Sequence, residues 1–199
     1  MRIIGITGGV ASGKSTVARL LEKLGAGVLD ADRAGHEALR LPQVEAAARR
    51  RWGEKIFGPD GRIDRSSLAR IVFAPGPEGR KERLFLEQLT HPEIARLFRL
   101  QADVLEKMGV KVVVLDAPLL LEAGWKDLCD KIVFVEAPWE ARLSRALARG
   151  WDKEDFDARD GAQESLQHKR ECADVIIDNS GSPERTQAQV ERFWASLLR

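Results

Sequence analysis

One run of residues constrains this chain more than any other: Gly8-Gly9-Val10-Ala11-Ser12-Gly13-Lys14-Ser15-Thr16. It fits G-x-x-x-x-G-K-[S/T], and it stands between two segments of different period. Before it, Arg2 to Thr7 is short, apolar and β-branched; after it, Val17, Leu20, Leu21 and Leu24 recur on one helical face. The order is therefore strand, glycine loop, helix. Glycines at 8 and 13 let the backbone curl tightly, so that successive N–H groups and the positive end of the helix converge on an anion. Lys14 has the reach for terminal phosphates and Ser15 a hydroxyl for Mg²⁺. A dinucleotide-binding reading fails, because G-x-G-x-x-G has another spacing and no role for the Lys-Ser pair.

Four further apolar runs read as strands: Gly27 to Leu29 ending at Asp30, Val110 to Leu115 ending at Asp116, Lys131 to Glu136, and Asp174 to Ile177. Short apolar strands separated by helices imply parallel pairing with both faces covered. The expected fold class is thus an α/β P-loop three-layer sandwich with a five-stranded parallel sheet. Residues 1–30 and 110–199 form its core. Residues 31–109, rich in Leu, Ala, Arg and Glu and without a convincing strand, read as a helical insertion, and the polar stretch 150–163 as a lid. Within the insertion, Thr90 before His91, Pro92 and Glu93 predicts a helix start with an N-cap and an early-turn proline. The last helix is expected to bury one stripe: Val190, Phe193, Trp194, Leu197 and Leu198.

Composition narrows the partners. With 32 basic and 31 acidic side chains the formal charge is +1, so net charge announces neither a nucleic-acid nor a membrane surface. Cys129 and Cys172 are far apart and His36, His91 and His168 are scattered, which suggests neither a disulfide framework nor a zinc site. No stretch is long and apolar enough to span a bilayer, and no export signal is evident, so a cytoplasmic location and no membrane partner are expected.

In parallel α/β sheets ligands gather at the carboxyl ends of strands. Asp30 and Asp32 lie just past the second strand and Asp116 ends the third. Such carboxylates orient or deprotonate an attacking hydroxyl, or hold a metal; they also cap turns, and Asp30 fits that role as well. Arg142, Arg145 and Arg149, three or four residues apart, fall on one helical surface, either a solvated face or a clamp for a transferring phosphoryl group. A guanine-nucleotide switch is disfavoured: Asp32-Arg33-Ala34-Gly35 matches D-x-x-G, but only 17 residues after Ser15 and with no N-K-x-D segment.

These residues, taken in order, resemble the dephospho-CoA kinase family. Gly5 to Thr16 is similar to its nucleotide loop, Val28-Leu29-Asp30-Ala31-Asp32 to its substrate-side aspartate motif, and Leu89-Thr90-His91-Pro92-Glu93-Ile94 to its helical segment. Ala117-Pro118-Leu119-Leu120-Leu121-Glu122 resembles its Pro-Leu-Leu-Phe-Glu run, and Arg159, Gln163, Lys169 and Ala173 to Asn179 match its C-terminal part. Ala11 stands where glycine is usual, Leu121 replaces the common phenylalanine, and Gly150 an acidic residue. The resemblance implies that the helical insertion 31–109 is the substrate-binding insertion, and that the protein transfers phosphate from ATP to the ribose 3′-hydroxyl of dephospho-CoA, in the cytoplasm, as a monomer or weak homo-oligomer. It implies Asp32, Lys14 and Arg145 as catalytic, and Gly8 to Thr16 with Arg149 and Asn179 around the nucleotide. Asp32, His91, Pro118 and Leu119 would meet the acceptor, and Ser15, Asp32 and Asp116 would serve Mg²⁺.

Overall fold

The computed structural model of the chain describes residues 1–198. Five strands, β1 (Arg2–Thr7), β2 (Gly27–Asp30), β3 (Val112–Asp116), β4 (Lys131–Glu136) and β5 (Val175–Asp178), form one sheet in the order β2-β3-β1-β4-β5. Every pairing is parallel. The register sets Ile6 and Asp30 each against Asp116, and Glu136 against Asp178, so the acidic residues gather at the carboxyl edge. The three-layer α/β expectation holds.

Helices α1 (Lys14–Lys23) and α9 (Pro183–Leu197) cover one face. Val17 and Leu21 of α1 and Val190, Phe193 and Leu197 of α9 pack on Ile4, Ile6, Val133, Val135 and Ile177. Trp194 joins that cluster half-buried, whereas Leu198 is 60% exposed, because the helix ends at Leu197 and the next residue turns away from the stripe. Helices α6 (Trp139–Leu147), α7 (Lys153–Gly161) and α8 (Leu166–Glu171) lie between β4 and β5 in the chain. The stretch expected as a lid contains α7.

The chain divides into two compact units, Met1–Ala31 with Ala102–Arg199, and Asp32–Gln101. The second is helical: most of α2 (Ala31–Ala38), α3 (Pro42–Trp52), α4 (Arg65–Val72) and most of α5 (Gly76–Lys107). Trp52, Ile56, Leu68 and Val72 form its core, with Phe85 packed edge-on against Trp52. Asp64 caps α4 by accepting from the N–H groups of Ser66 and Ser67.

The helix start expected at Thr90 is not there. Thr90 lies inside α5, and its hydroxyl donates to the Leu86 carbonyl at 2.8 Å, one turn back. Pro92 is likewise internal. A proline inside a helix removes one i→i−4 bond, here that to Gln88, yet burial of Ile94, Phe98 and Ala102 on the same helix keeps it continuous.

Candidate active site

β1 ends at Thr7 and the chain enters the glycine loop. Gly8 has φ +150°, and a Cβ there would meet the Val135 carbonyl oxygen at 2.6 Å and Ser12 Oγ at 2.8 Å. Gly13 has φ +102° and caps α1 without a side chain, so no side-chain oxygen competes for the first N–H groups of the helix. These are the donors that a phosphate takes at a helix N-terminus. Ala11, the position where the family usually has glycine, adopts φ +56°, the one positive φ at a non-glycine among the described residues. Its methyl is buried in a cluster with Val10, Ala146 of α6 and Phe156 of α7, which offsets the strain of the left-handed conformation.

Lys14 Nζ donates to the carbonyls of Gly8 and Gly9 at 3.0 and 2.9 Å and curls over the mouth of the loop. Burial pulls its pKa down from 10.5 to about 8; the positive charges of Lys169 and Arg142 add to the shift, while Asp116 and Glu122 oppose it. Asp116, the last residue of β3, is thus among the charges that act on Lys14. The two pKa values fix the sign for stability. Below about pH 8 the ammonium is charged in both folded and unfolded chains, and the folded state bears the whole cost of burying it; between about 8 and 10.5 only the folded state has released its proton, so this group adds stability as pH rises. Binding of an anion demands the charged form. We expect kcat/KM for MgATP to fall above about pH 8, a limb absent from kcat at saturation, and Lys14→Arg to abolish that limb. A pH profile of the initial rate at subsaturating MgATP, flat from 7 to 9.5, would count against it.

The expected arginine clamp divides into three environments. Arg142 is buried, 3% exposed. Arg145 donates to the Ser12 carbonyl at 3.0 Å and the Asn179 carbonyl at 2.7 Å, bracing the loop from behind. Arg149, past the end of α6, is exposed. Asn179 works beside Arg145. Its amide donates to Ser12 O at 2.7 Å, its carbonyl oxygen accepts from Thr186, and a Cβ on Gly13 would collide with its nitrogen. The hydroxyls of Thr7 and Ser12 are buried at the loop without a protein partner.

After β3, Pro118 and Leu119 are half-buried, and Leu120 is fully buried against Gly5. The Pro118 carbonyl accepts from Lys169 Nζ at 3.3 Å. Lys169, fully buried on α8, also pairs with Glu122 at 2.9 Å and with Gln163 Oε1 at 2.9 Å. Burial works to raise the Glu122 pKa, but the Lys169 ammonium and the Glu164 N–H outweigh it and hold the carboxyl below its ordinary value. Spacing alone does not single out this node; its only sequence signal is an acid and a base in runs that resemble family motifs.

In the helical unit, Asp32 is exposed in the first turn of α2, which begins at Ala31. His91 is half-buried on α5, and burial lowers its pKa against the opposing charge of Glu87. Among the described residues no three of His, Cys, Asp and Glu come together to hold a metal by themselves. No helix among them is long and apolar enough to cross a membrane.

The dephospho-CoA kinase family model matches residues 2–184. A dephospho-CoA kinase of Geobacter sulfurreducens is 41% identical over 198 residues, covering 98% of each chain. One from Symbiobacterium thermophilum is 44% identical over 98% of this chain and 80% of its own. Among solved structures, a Thermus thermophilus protein superposes with TM-score 0.85 at 36% identity over 100% of this chain and 98% of that one. The dephospho-CoA kinase of Campylobacter jejuni gives TM-score 0.72 at 26% identity, covering 99% and 98%. Matched along almost its whole length, with its glycine loop at the end of the central strand of a parallel sheet, the chain belongs to the dephospho-CoA kinase family.

Proposed function

We propose that the loop from Gly8 to Thr16 holds the phosphates of ATP while Asp32 orients the 3′-hydroxyl of dephospho-CoA and accepts its proton. The reaction is that of the family, phosphorylation of dephospho-CoA to CoA, the last step of CoA biosynthesis. The observation that carries the nucleotide assignment is the junction at Gly13: a left-handed glycine without a capping side chain, immediately before a buried lysine that reaches back over the loop.

Direct in-line transfer needs positioning and charge stabilisation more than covalent chemistry. Lys14 supplies positive charge at the terminal phosphates. Arg145 and Asn179 act on the same phosphates through Ser12, whose carbonyl both of them hold, and Arg149 stands at the exposed end of that helix for the nucleotide. Pro118, Leu119 and His91 are the acceptor contacts in this reading. The donor set of Ser15 and Asp116, with Asp32, consists of hard oxygens and suits Mg²⁺, an ion that keeps several waters and seldom needs an all-protein cage. When bound, the ion neutralises charge that develops between the outer phosphates. We further read the protein as a cytoplasmic monomer or weak homo-oligomer.

The direct test incubates purified protein with MgATP and dephospho-CoA and weighs the product. A product heavier by one phosphate, with one ADP formed for each, is expected. ATP consumption that does not depend on dephospho-CoA, or none at all, would overturn the reading.

A further inference from the structure

Arg142 sits where α6, α7 and the nucleotide loop meet. Its two terminal nitrogens donate to the two carboxylate oxygens of Asp160 on α7, at 2.5 and 3.1 Å. Nη1 also lies 3.4 Å from the Val10 carbonyl, and it would be 2.6 Å from a Cβ on Gly9. The missing side chain at Gly9 is thus the space the guanidinium fills. Phe156, fully buried on α7, packs on Val10 and Ala11 and places its ring 5.5 Å from the guanidinium carbon. Arg142 Nε is buried with no partner, so the charge depends on Asp160 for its compensation.

From this arrangement we infer that Arg142 is a positioning residue for ATP binding. It holds Gly9 and Val10 on one side and the α7 helix on the other, so that the conformation of the nucleotide loop and the seating of α7 form one equilibrium. The inference rests on the reading that Gly8 to Thr16 bind the phosphates. A buried ion pair broken from one side leaves an uncompensated charge in a low-dielectric site, which is far costlier than removing both partners together. Loss of the Asp160 charge therefore unseats α7, because the guanidinium must reach water, and in moving it abandons Gly9 and Val10. Lysine in place of Arg142 keeps the charge but has no planar fork with which to serve Asp160 and Val10 at once.

The test uses the whole protein and begins with calorimetric binding of MgATP to the wild type. Absence of that binding would refute the nucleotide reading itself, whatever the role of Arg142. Given binding, Asp160→Asn and Arg142→Lys should each raise KM for MgATP about tenfold, the scale of one charge-assisted hydrogen bond, while KM for dephospho-CoA stays near the wild-type value. Hydrogen exchange in residues 153–161 should quicken at least as much, with the β-strands unaffected. The double variant Arg142→Gln with Asp160→Asn should be no worse than the worse of Arg142→Gln and Asp160→Asn alone, since no buried charge is left unpaired. Equal rises in both KM values, or additive losses in the double variant, would mean that the pair is scaffold only and would overturn the inference. Unchanged KM for MgATP in Asp160→Asn would do the same.

Discussion

Lys14→Met is expected to lower turnover by about 10²- to 10³-fold, the loss associated with one preorganised charged donor at a developing oxyanion. The ammonium lies on the carbonyls of Gly8 and Gly9, at the mouth of the loop, and no neighbouring cation can take its place. Arg142 is held by Asp160, Arg145 by Ser12 and Asn179, and Lys169 by Glu122. Stability should move the other way. Burial has pulled Lys14 down to about 8, so at neutral pH the folded protein bears the cost of a desolvated charge, and an apolar side chain of similar length removes it. Below pH 8 the variant should therefore melt no lower than the wild type. Steady-state kinetics at saturating substrates and thermal unfolding at pH 7 check the two halves. Wild-type turnover would remove Lys14 from the mechanism; a large drop in melting temperature would mean that the ammonium is a structural brace.

The second large effect is expected at Asp32. Asparagine there keeps the size and some hydrogen bonding but loses charge and basicity, so kcat should fall by roughly 10²-fold or more, the scale of a positioned acid or base. Affinity for MgATP should change much less, because the loop and Lys14 are untouched. Asp30 makes a useful control. It is the last residue of β2, in register with Asp116, and its replacement by asparagine should be milder. Turnover and MgATP affinity on both variants, with folding confirmed, decide the assignment. Unimpaired kcat in Asp32→Asn would end the acceptor-activation role, and a large loss of MgATP affinity at nearly normal kcat would move Asp32 to metal organisation.

The amino-acid sequence by itself determined whatever depends on neighbours along the chain. The glycine loop and the helix after it were legible because the glycines answer a local backbone demand and Lys14 and Ser15 follow at fixed spacing. The strands were legible because each is a short apolar run, and all but β1 close on an acidic residue, Asp30, Asp116, Glu136 and Asp178. Tertiary structure decided the rest. Thr90, Pro92 and Glu93 carry the local signals of a helix start, yet the burial of Ile94 and Phe98 carries one helix through them. Arg142, Arg145 and Arg149 are equivalent by spacing. One is buried against Asp160, one braces Ser12 and one is exposed, because Asp160 of α7 meets Arg142, the loop carbonyl of Ser12 meets Arg145, and α6 ends at Leu147, before Arg149. Periodicity states which residues share a face; only the arrival of another element states which of them that face will bury, and burial is what turns an ordinary surface arginine into one that must have its carboxylate.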